Sequence, residues 1–196
     1  MAKSAGVAPT LHHVSIKTGR QQEMVDWYAT VAGFRVVHQF EGGAWLTNDA
    51  ANHRLGFLCS PELSDDREKL DHNGIHHTAF EFPSLDDLLE TYVRLKGEGI
   101  VPHACLDHGM TFSIYYVDPD GNSVELQADN YGDWAQSSAF MTTDQFSANP
   151  IGAPFDPDLV VAARDEGATH DEIHRRAYAG EFIPSEPLDL RFPLPG

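Results

Sequence analysis

The sequence LHHVSI at residues 11–16 returns 64 positions later as IHHTAF at residues 75–80. Both copies contain branched or aromatic residues in a pattern close enough to alternation to predict a β-strand. Successive side chains of a strand face opposite sides, so only one histidine of each pair can face a common site. The chain therefore contains an imperfect internal repeat that carries a His-His pair at matching positions.

An amphipathic helix and a run of short strands follow each copy of the repeat. The predicted helices cover residues 21–31 and 85–96, where apolar residues recur at helical spacing. Gly33 closes the first helix, and Ser84 is the expected N-cap of the second. The predicted strands are residues 34–41, 43–47 and 54–59 in the first unit, and residues 102–104, 111–117 and 123–128 in the second. Each unit therefore follows the order β-α-β-β-β.

Three side chains in this pattern form a candidate metal site. His13 and His77 occupy matching places in the repeat, and Glu125 lies on the last strand of the second unit. If the two units pair about a pseudo-twofold axis, both imidazoles can point into one cavity and the carboxylate can complete a face of ligands. Two histidines and one carboxylate bind Fe(II) and leave about three adjacent positions open. The sequence thus predicts one divalent metal, Fe(II) with Mn(II) as the alternative.

Each of these residues also has an ordinary structural explanation. A lone strand histidine is more often a hydrogen-bonded polar residue than a metal ligand. Glu125, in the sequence SVELQ, could be an outward-facing strand residue. The recurrence of the His-His pair at matching repeat positions, together with a lone acid in a mostly uncharged strand, favours the metal site.

These assignments predict an α+β fold in which two tandem β-α-β-β-β modules form a curved mixed sheet around one metal site. The metal-binding domain covers residues 1–130, with modules at about residues 10–60 and 73–130 joined by a polar linker at residues 61–74. Residues 131–196 are richer in Pro, Asp and Gly, and this composition predicts a helical and extended C-terminal tail.

The tail is predicted to contain two short helices and an extended end. The helices cover residues 157–166 and 170–179, and Thr169 can cap the second. Residues 183–196 contain four prolines, which favour an extended backbone. Such a tail can wrap the domain or a partner subunit, and we expect a homo-oligomer.

Composition excludes several classes of function. Thirteen Lys and Arg against 30 Asp and Glu give a net charge of −17, which disfavours binding to nucleic acid or anionic membranes. The sequence has no apolar run of the roughly 18 residues needed to span a bilayer. The first residues, MAKSAGVAPTLHH, lack the apolar core of a secretory signal, and two cysteines do not form a disulfide framework. We therefore expect a cytoplasmic protein.

Three segments together resemble a known family. LHHVSIKT, IHHTAFEF and SIYYVDPDGNSVEL are similar to sequences of the vicinal oxygen chelate superfamily, which includes glyoxalases, bleomycin resistance proteins and extradiol dioxygenases. The resemblance covers about residues 10–130 and is strongest to the one-domain type I extradiol catechol dioxygenases. It implies an Fe(II)-dependent enzyme that cleaves a catechol, such as a 2,3-dihydroxybiphenyl-like compound, with both atoms of O2.

The resemblance also implies roles for individual residues. The metal ligands of the family match His13, His77 and Glu125. Its active-site tyrosine lies ten residues before the glutamate, which is Tyr115 here. A further histidine near the O2 position matches His53. The acid-base histidine matches His108, and His103 is the alternative.

Two rival functions remain open at this stage. One is a different metal-dependent enzyme of the same fold, such as an epimerase, a glyoxalase-type isomerase or a lyase. Glyoxalase-type sites usually take an acid from the end of the first unit, where this chain reads RLGFLCS. The other is a metal-free protein that binds an aromatic compound or drug. Such relatives tend to lose the metal ligands, whereas this chain keeps all three candidates.

Overall fold

The computed structural model describes residues 7–192, which fall into two compact units divided between Asp65 and Asp66. Each unit contains a mixed β-sheet of its own, with four strands in the first and five in the second. The predicted α+β fold of two tandem β-α-β-β-β modules with a C-terminal tail is confirmed.

In the sheet of the first unit, the first strand of the predicted module pairs with the last one. Its elements are β1 (Val14–Thr18), α1 (Gln21–Ala32), β2 (Arg35–Phe40), β3 (Gly43–Thr47) and β4 (Leu55–Cys59). The strands lie in the order β1-β4-β3-β2, and β1 runs parallel to β4 while the other pairs are antiparallel. Helix α1 buries Met24, Tyr28 and Val31 on one face. It ends at Gly33, whose φ of 66° permits the left-handed cap that was predicted there.

The second unit repeats this arrangement and extends it by one strand. Its elements are β5 (His77–Phe82), α2 (Leu85–Gly97), β6 (Ala104–Asp107), β7 (Thr111–Val117), β8 (Ser123–Asp129) and β9 (Ala153–Pro154). The strand order is β5-β8-β7-β6-β9, with β5 parallel to β8. Helix α2 begins where the Ser84 side chain accepts a hydrogen bond from the Asp87 backbone N–H, as expected for an N-cap.

The two leading strands begin later than the sequence pattern predicts. The prediction placed them at residues 11–16 and 75–80, whereas β1 begins at Val14 and β5 begins at His77. The parallel partner sets the start, because Val14 pairs with Leu55, the first residue of β4. The strand predicted at residues 102–104 is also displaced, since β6 follows the register of β7 up to Asp107.

The tail contains more structure than its composition predicts. The two expected helices are present as α5 (Pro157–Asp165) and α6 (His170–Tyr178), and Thr169 caps α6 in a capping box with Glu172. Two helices that were not predicted, α3 (Trp134–Phe140) and α4 (Asp144–Ala148), precede them, and β9 adds to the sheet through β6. The predicted linker contains a short 3-10 helix, Lys69–Asp71.

Some predictions fall on residues at the ends of the chain. Residues 1–6 of the N-terminal segment and residues 193–196 of the predicted extended end lie outside the described residues. Within residues 7–192, none of the helices combines the length and the apolar character that crossing a membrane would need.

Gly152 offers a test of how closely the tail approaches β6. Its φ is 93°, and a Cβ built on it would overlap the carbonyl oxygen of Asp107. Gly167 is a matched control, because its φ is 96° and a Cβ there would meet nothing within 4 Å. Gly167→Ala should cost about 1–2 kcal/mol for the left-handed backbone alone. Gly152→Ala should lower the free energy of unfolding, measured with urea, by clearly more than this. Equal losses in the two variants would contradict the close packing of Gly152 against Asp107.

Candidate active site

One face of the second sheet gathers three of the predicted site residues. The pairing of β5 with β8 places Ala79 beside Glu125, and the pairing of β7 with β8 places Tyr115 opposite Glu125. His77 lies two residues before Ala79 and therefore shares its face, because side chains alternate along a strand. His77, Tyr115 and Glu125 thus project from the same side of three adjacent strands.

His77 and Glu125 are in direct contact. Nε2 of His77 lies 3.0 Å from Oε2 of Glu125. The glutamate is only 5% exposed, whereas about a third of the His77 side chain is accessible. Burial by itself would raise the pKa of the Glu125 carboxyl, but the facing His77 ring and a hydrogen bond from Ser113 outweigh burial and hold that pKa below its usual range. The buried group is therefore a carboxylate, which requires a cation or hydrogen-bond donors beside it.

Tyr115, which lies opposite Glu125, is in contact with His108. The Tyr115 hydroxyl lies 2.8 Å from Nε2 of His108, and Nδ1 of His108 lies 2.6 Å from the carbonyl oxygen of Ile151. A carbonyl can only accept, so Nδ1 carries a proton, and Nε2 of the neutral ring accepts from the Tyr115 hydroxyl. Burial lowers the pKa of His108, although the negative charges of Glu125 and Asp107 oppose it. Burial and the Glu125 charge both raise the pKa of Tyr115.

A buried polar network holds the turn that carries His108. Asp107 has no exposed surface, and its carboxylate accepts from the Gly109 backbone N–H at 2.8 Å and from Nδ2 of Asn130 at 3.1 Å. Its other oxygen lies 2.7 Å from Nδ1 of His174 on α6. A buried carboxylate is stable only when it is paired and hydrogen-bonded. The tail therefore helps to fix the position of His108.

His103, the alternative acid-base residue, has both ring nitrogens engaged elsewhere. Nδ1 lies 2.7 Å from the carbonyl oxygen of Asp189, and Nε2 lies 2.9 Å from Oγ of Ser123. Burial lowers the pKa of His103. These contacts are those of a histidine that ties the C-terminal end to β8.

The first unit has its own histidine cluster. His12, His13 and His53 each offer a ring nitrogen within 4.8 Å of the others, and this is the one such three-residue group of potential ligands found in the part of the chain that the structure describes. The His13 and His53 rings lie 4.4 Å apart between centroids. Nδ1 of His53 contacts Oδ1 of Asn52 at 2.7 Å. Burial, followed by the charges of His13 and His12, lowers the pKa of His53.

The predicted site residues thus form two groups. His77, Glu125, Tyr115 and His108 lie together in the second unit, while His13 and His53 lie together in the first. Sequence reasoning did not identify the residues that hold His108 in place. The Ile151 carbonyl, Asn130 and His174 come from segments with no motif, and the sequence contains no local signal for them.

Comparison with known proteins identifies the family. The model of the Glyoxalase/Bleomycin resistance protein/Dioxygenase superfamily matches residues 10–126. The chain therefore belongs to this superfamily, which confirms the predicted resemblance. A solved structure of a glyoxylase/bleomycin resistance protein/dioxygenase domain from Frankia sp. EAN1pec supports the fold with a TM-score of 0.52 at 14% identity, covering 63% of this chain and 93% of that one.

Two curated relatives extend along most of the chain. Biphenyl-2,3-diol 1,2-dioxygenase 2 of Rhodococcus globerulus is 40% identical over 179 residues, which are 91% of this chain and 94% of the relative. Biphenyl-2,3-diol 1,2-dioxygenase 3 of the same organism is 36% identical over 173 residues, which are 88% of this chain and 91% of the relative. The similarity therefore includes most of the tail as well as the two modules.

The Asp107–His174 pair can be tested against an exposed pair of the same kind. Their side chains are 0% and 17% exposed, whereas Asp66 and His72 make a 2.8 Å contact with side chains that are 48% and 56% exposed. His174→Ala should lower the free energy of unfolding by about 3 kcal/mol, because it leaves a buried carboxylate with one partner fewer. His72→Ala should cost about 0–1 kcal/mol. If urea unfolding shows that both variants lose a similar amount of unfolding free energy, the structural role of the buried pair is refuted.

Proposed function

We propose that this chain is an Fe(II)-dependent extradiol dioxygenase that cleaves a catechol ring and incorporates both atoms of O2. The observation that carries the proposal is the buried Glu125 carboxylate, 3.0 Å from Nε2 of His77 and beside the Tyr115–His108 pair. Two relatives that align along most of the chain are named biphenyl-2,3-diol 1,2-dioxygenases. Their activity confirms the predicted class of enzyme, a catechol dioxygenase that requires a catalytic metal.

The donor set fits the metal. Glu125 supplies an anionic oxygen, and His77 supplies an imidazole nitrogen that already faces it. We assign the third ligand to His13, which occupies the matching place in the first repeat. Two imidazoles and one carboxylate suit a divalent ion such as Fe(II), and they leave coordination positions for a catechol and O2. When bound, the metal supplies a Lewis acid that lowers the pKa of a catechol hydroxyl.

His108 and Tyr115 are suited to handling protons at this site. The Tyr115 hydroxyl can donate to Nε2 of His108, and the Ile151 carbonyl keeps the proton of His108 on Nδ1. Nε2 is thus the atom that can take a proton from a substrate hydroxyl and return it to the product. Because burial lowers the pKa of His108, its neutral form, which can act as the base, is favoured near neutral pH.

His53 is assigned to the O2 side of the reaction. Its ring lies 4.4 Å from that of the assigned ligand His13, between centroids, and 5.7 Å from that of Trp45. A histidine beside an apolar ring can donate a hydrogen bond to the negative charge that develops as O2 is reduced. We assign His53 this stabilising role, separate from proton transfer by His108.

The rival functions are less well supported. A glyoxalase-type site takes an acid from the end of the first unit, and β4 has the sequence LGFLC, with no acid. A metal-free binding protein does not require a buried carboxylate paired with a histidine. The chain should be reconstituted anaerobically with Fe(II) and given a panel of catechols that includes 2,3-dihydroxybiphenyl. Uptake of one O2 per catechol with a yellow ring-fission product is expected, and a lack of O2 consumption by the iron-loaded protein would refute the proposal.

The assigned ligands predict the effect of their loss on metal content. His13→Ala, His77→Ala and Glu125→Ala should each remove most of the bound iron while leaving the fold largely intact, because a site with two protein ligands is weak. His38→Ala in the first unit and His72→Ala in the second are control variants that lose a histidine outside the proposed site. Each should keep its bound iron. Iron would be measured after gel filtration. If one of the first three variants retains full metal content and activity, that residue is not a ligand.

His108 and His53 should fail in different ways. His108→Ala should keep its iron and still bind a catechol, as seen in the metal's spectrum, because chelation does not need a proton donor. Its turnover should fall by roughly 10²–10⁴, the usual contribution of a positioned acid or base. His53→Ala should instead raise the O2 concentration needed for half-maximal rate. Wild-type turnover by His108→Ala would show that another group moves the proton.

A further inference from the structure

A short segment near the C-terminus lies along the active-site face of the second unit. We name residues 188–192 the C-terminal strap. Leu188 and Leu190 pack against a buried cluster that includes Tyr115, and Nη2 of Arg191 donates to the carbonyl oxygen of Gly121 at 3.2 Å. The strap is therefore fixed by apolar packing on one side and by a hydrogen bond to the turn before β8 on the other.

The strap also contacts the histidine that precedes the assigned ligand. Nε2 of His76 lies 3.0 Å from the carbonyl oxygen of Leu190, and the ring of Phe192 makes an edge contact with the His76 ring at 5.9 Å. Because a carbonyl oxygen can only accept, this hydrogen bond requires a proton on Nε2 of His76. In the neutral ring, Nδ1 of His76 is then an acceptor.

The acceptor nitrogen of His76 faces His77. Nδ1 of His76 lies 2.8 Å from Nδ1 of His77. With His76 as the acceptor, the proton between them belongs to Nδ1 of His77. A neutral His77 is then unprotonated at Nε2, the atom that lies 3.0 Å from Oε2 of Glu125. A lone pair and a carboxylate oxygen at this separation repel each other unless a proton or a cation lies between them. A metal ion bound by both atoms would remove this repulsion.

We propose that the C-terminal strap and His76 form a relay that fixes the tautomer of His77 for metal binding. The Leu190 carbonyl holds the Nε2 proton of His76, and His76 holds the Nδ1 proton of His77. His76 is thus a positioning residue, and the strap is part of the metal site although it supplies no ligand. The inference rests on the proposed role of His77 and Glu125 as ligands.

The relay matters because an imidazole can bind a metal only through an unprotonated nitrogen. The second nitrogen of a ligating histidine normally donates to a carboxylate, a carbonyl or water, which fixes the ring and its tautomer. His77 meets this need through a neighbouring ring, and that ring needs an acceptor of its own. In the first unit, Nδ1 of His12 lies 3.0 Å from Nδ1 of His13. Both copies of the repeat therefore contain a contact between two neighbouring histidines. In the second copy, the tail adds the Leu190 carbonyl that orients His76.

Metal affinity provides the first test. Co²⁺ or Zn²⁺ dissociation constants would be measured by competition with a chelator for the wild-type chain, for His76→Ala and for a chain that ends at Pro187. Each change should weaken binding by about 10–100-fold, the usual effect of losing such an outer hydrogen bond. Because both changes interrupt one relay, the variant that combines them should bind the metal no more weakly than the weaker-binding of the two single variants.

Two further variants separate the relay from packing. Leu188→Ala removes part of the apolar contact that fixes the strap but leaves the Leu190 carbonyl in the chain, so it should weaken metal binding much less than the truncation or His76→Ala does. His76→Gln supplies one donor and one acceptor and should recover much of the affinity lost in His76→Ala. Unfolding curves would confirm that each variant is folded, and the Gln variant provides the test if the Ala variant is not.

The tautomers provide a second readout, independent of activity. In the Zn²⁺-loaded protein, long-range ¹H–¹⁵N spectra of the histidines should show His76 protonated at Nε2 and His77 protonated at Nδ1. The truncated chain should lose the single tautomer of His76. A His76 protonated at Nδ1, or a His76→Ala variant that binds within twofold of wild type, would overturn the relay. If His77→Ala itself keeps the metal, it is the ligand assignment that fails.

Discussion

The parallel register between β5 and β8 is the constraint on which the site depends. Ala79 stands beside Glu125, so His77 and the carboxylate share one face, and their side chains meet at 3.0 Å. The neighbours of Glu125 on β8, Val124 and Leu126, have no exposed surface and point the other way. A shift of one residue would exchange these faces, placing a charge among buried apolar groups and leucine at the site. Hydrophobic burial thus maintains the alignment that the chemistry needs.

Much of this arrangement could be predicted because it is encoded locally. The repeated His-His pair, the helical spacing after it and the turn before Glu125 each depend on residues close together in sequence. The same local signals identified the caps at Gly33 and Ser84, and both are present. The errors in strand ends have a different origin. A strand begins where its partner does, so the start of β1 depends on Leu55, about forty residues away.

The surroundings of His108 could not be predicted, because they come from distant parts of the chain. The sequence identified the residue as an acid-base candidate. It gave no indication that the Ile151 carbonyl would accept its proton or that His174 would pair with the neighbouring Asp107. A histidine on an amphipathic helix and a backbone carbonyl have no distinctive pattern. Such partners are determined by tertiary packing, which lies beyond the reach of periodicity or propensity.

The contact between His76 and Leu190 also bears on the order in which the chain folds. The two residues are separated by 114 positions, and closing so long a loop costs entropy that local contacts do not. During synthesis, β5 through β8 leave the ribosome well before residue 190, so the second sheet can pair while His76 still lacks its carbonyl acceptor. The strap therefore forms after the sheet that it supports. The outer support of His77 thus matures in a later step than the strand pairing that brings His77 and Glu125 together.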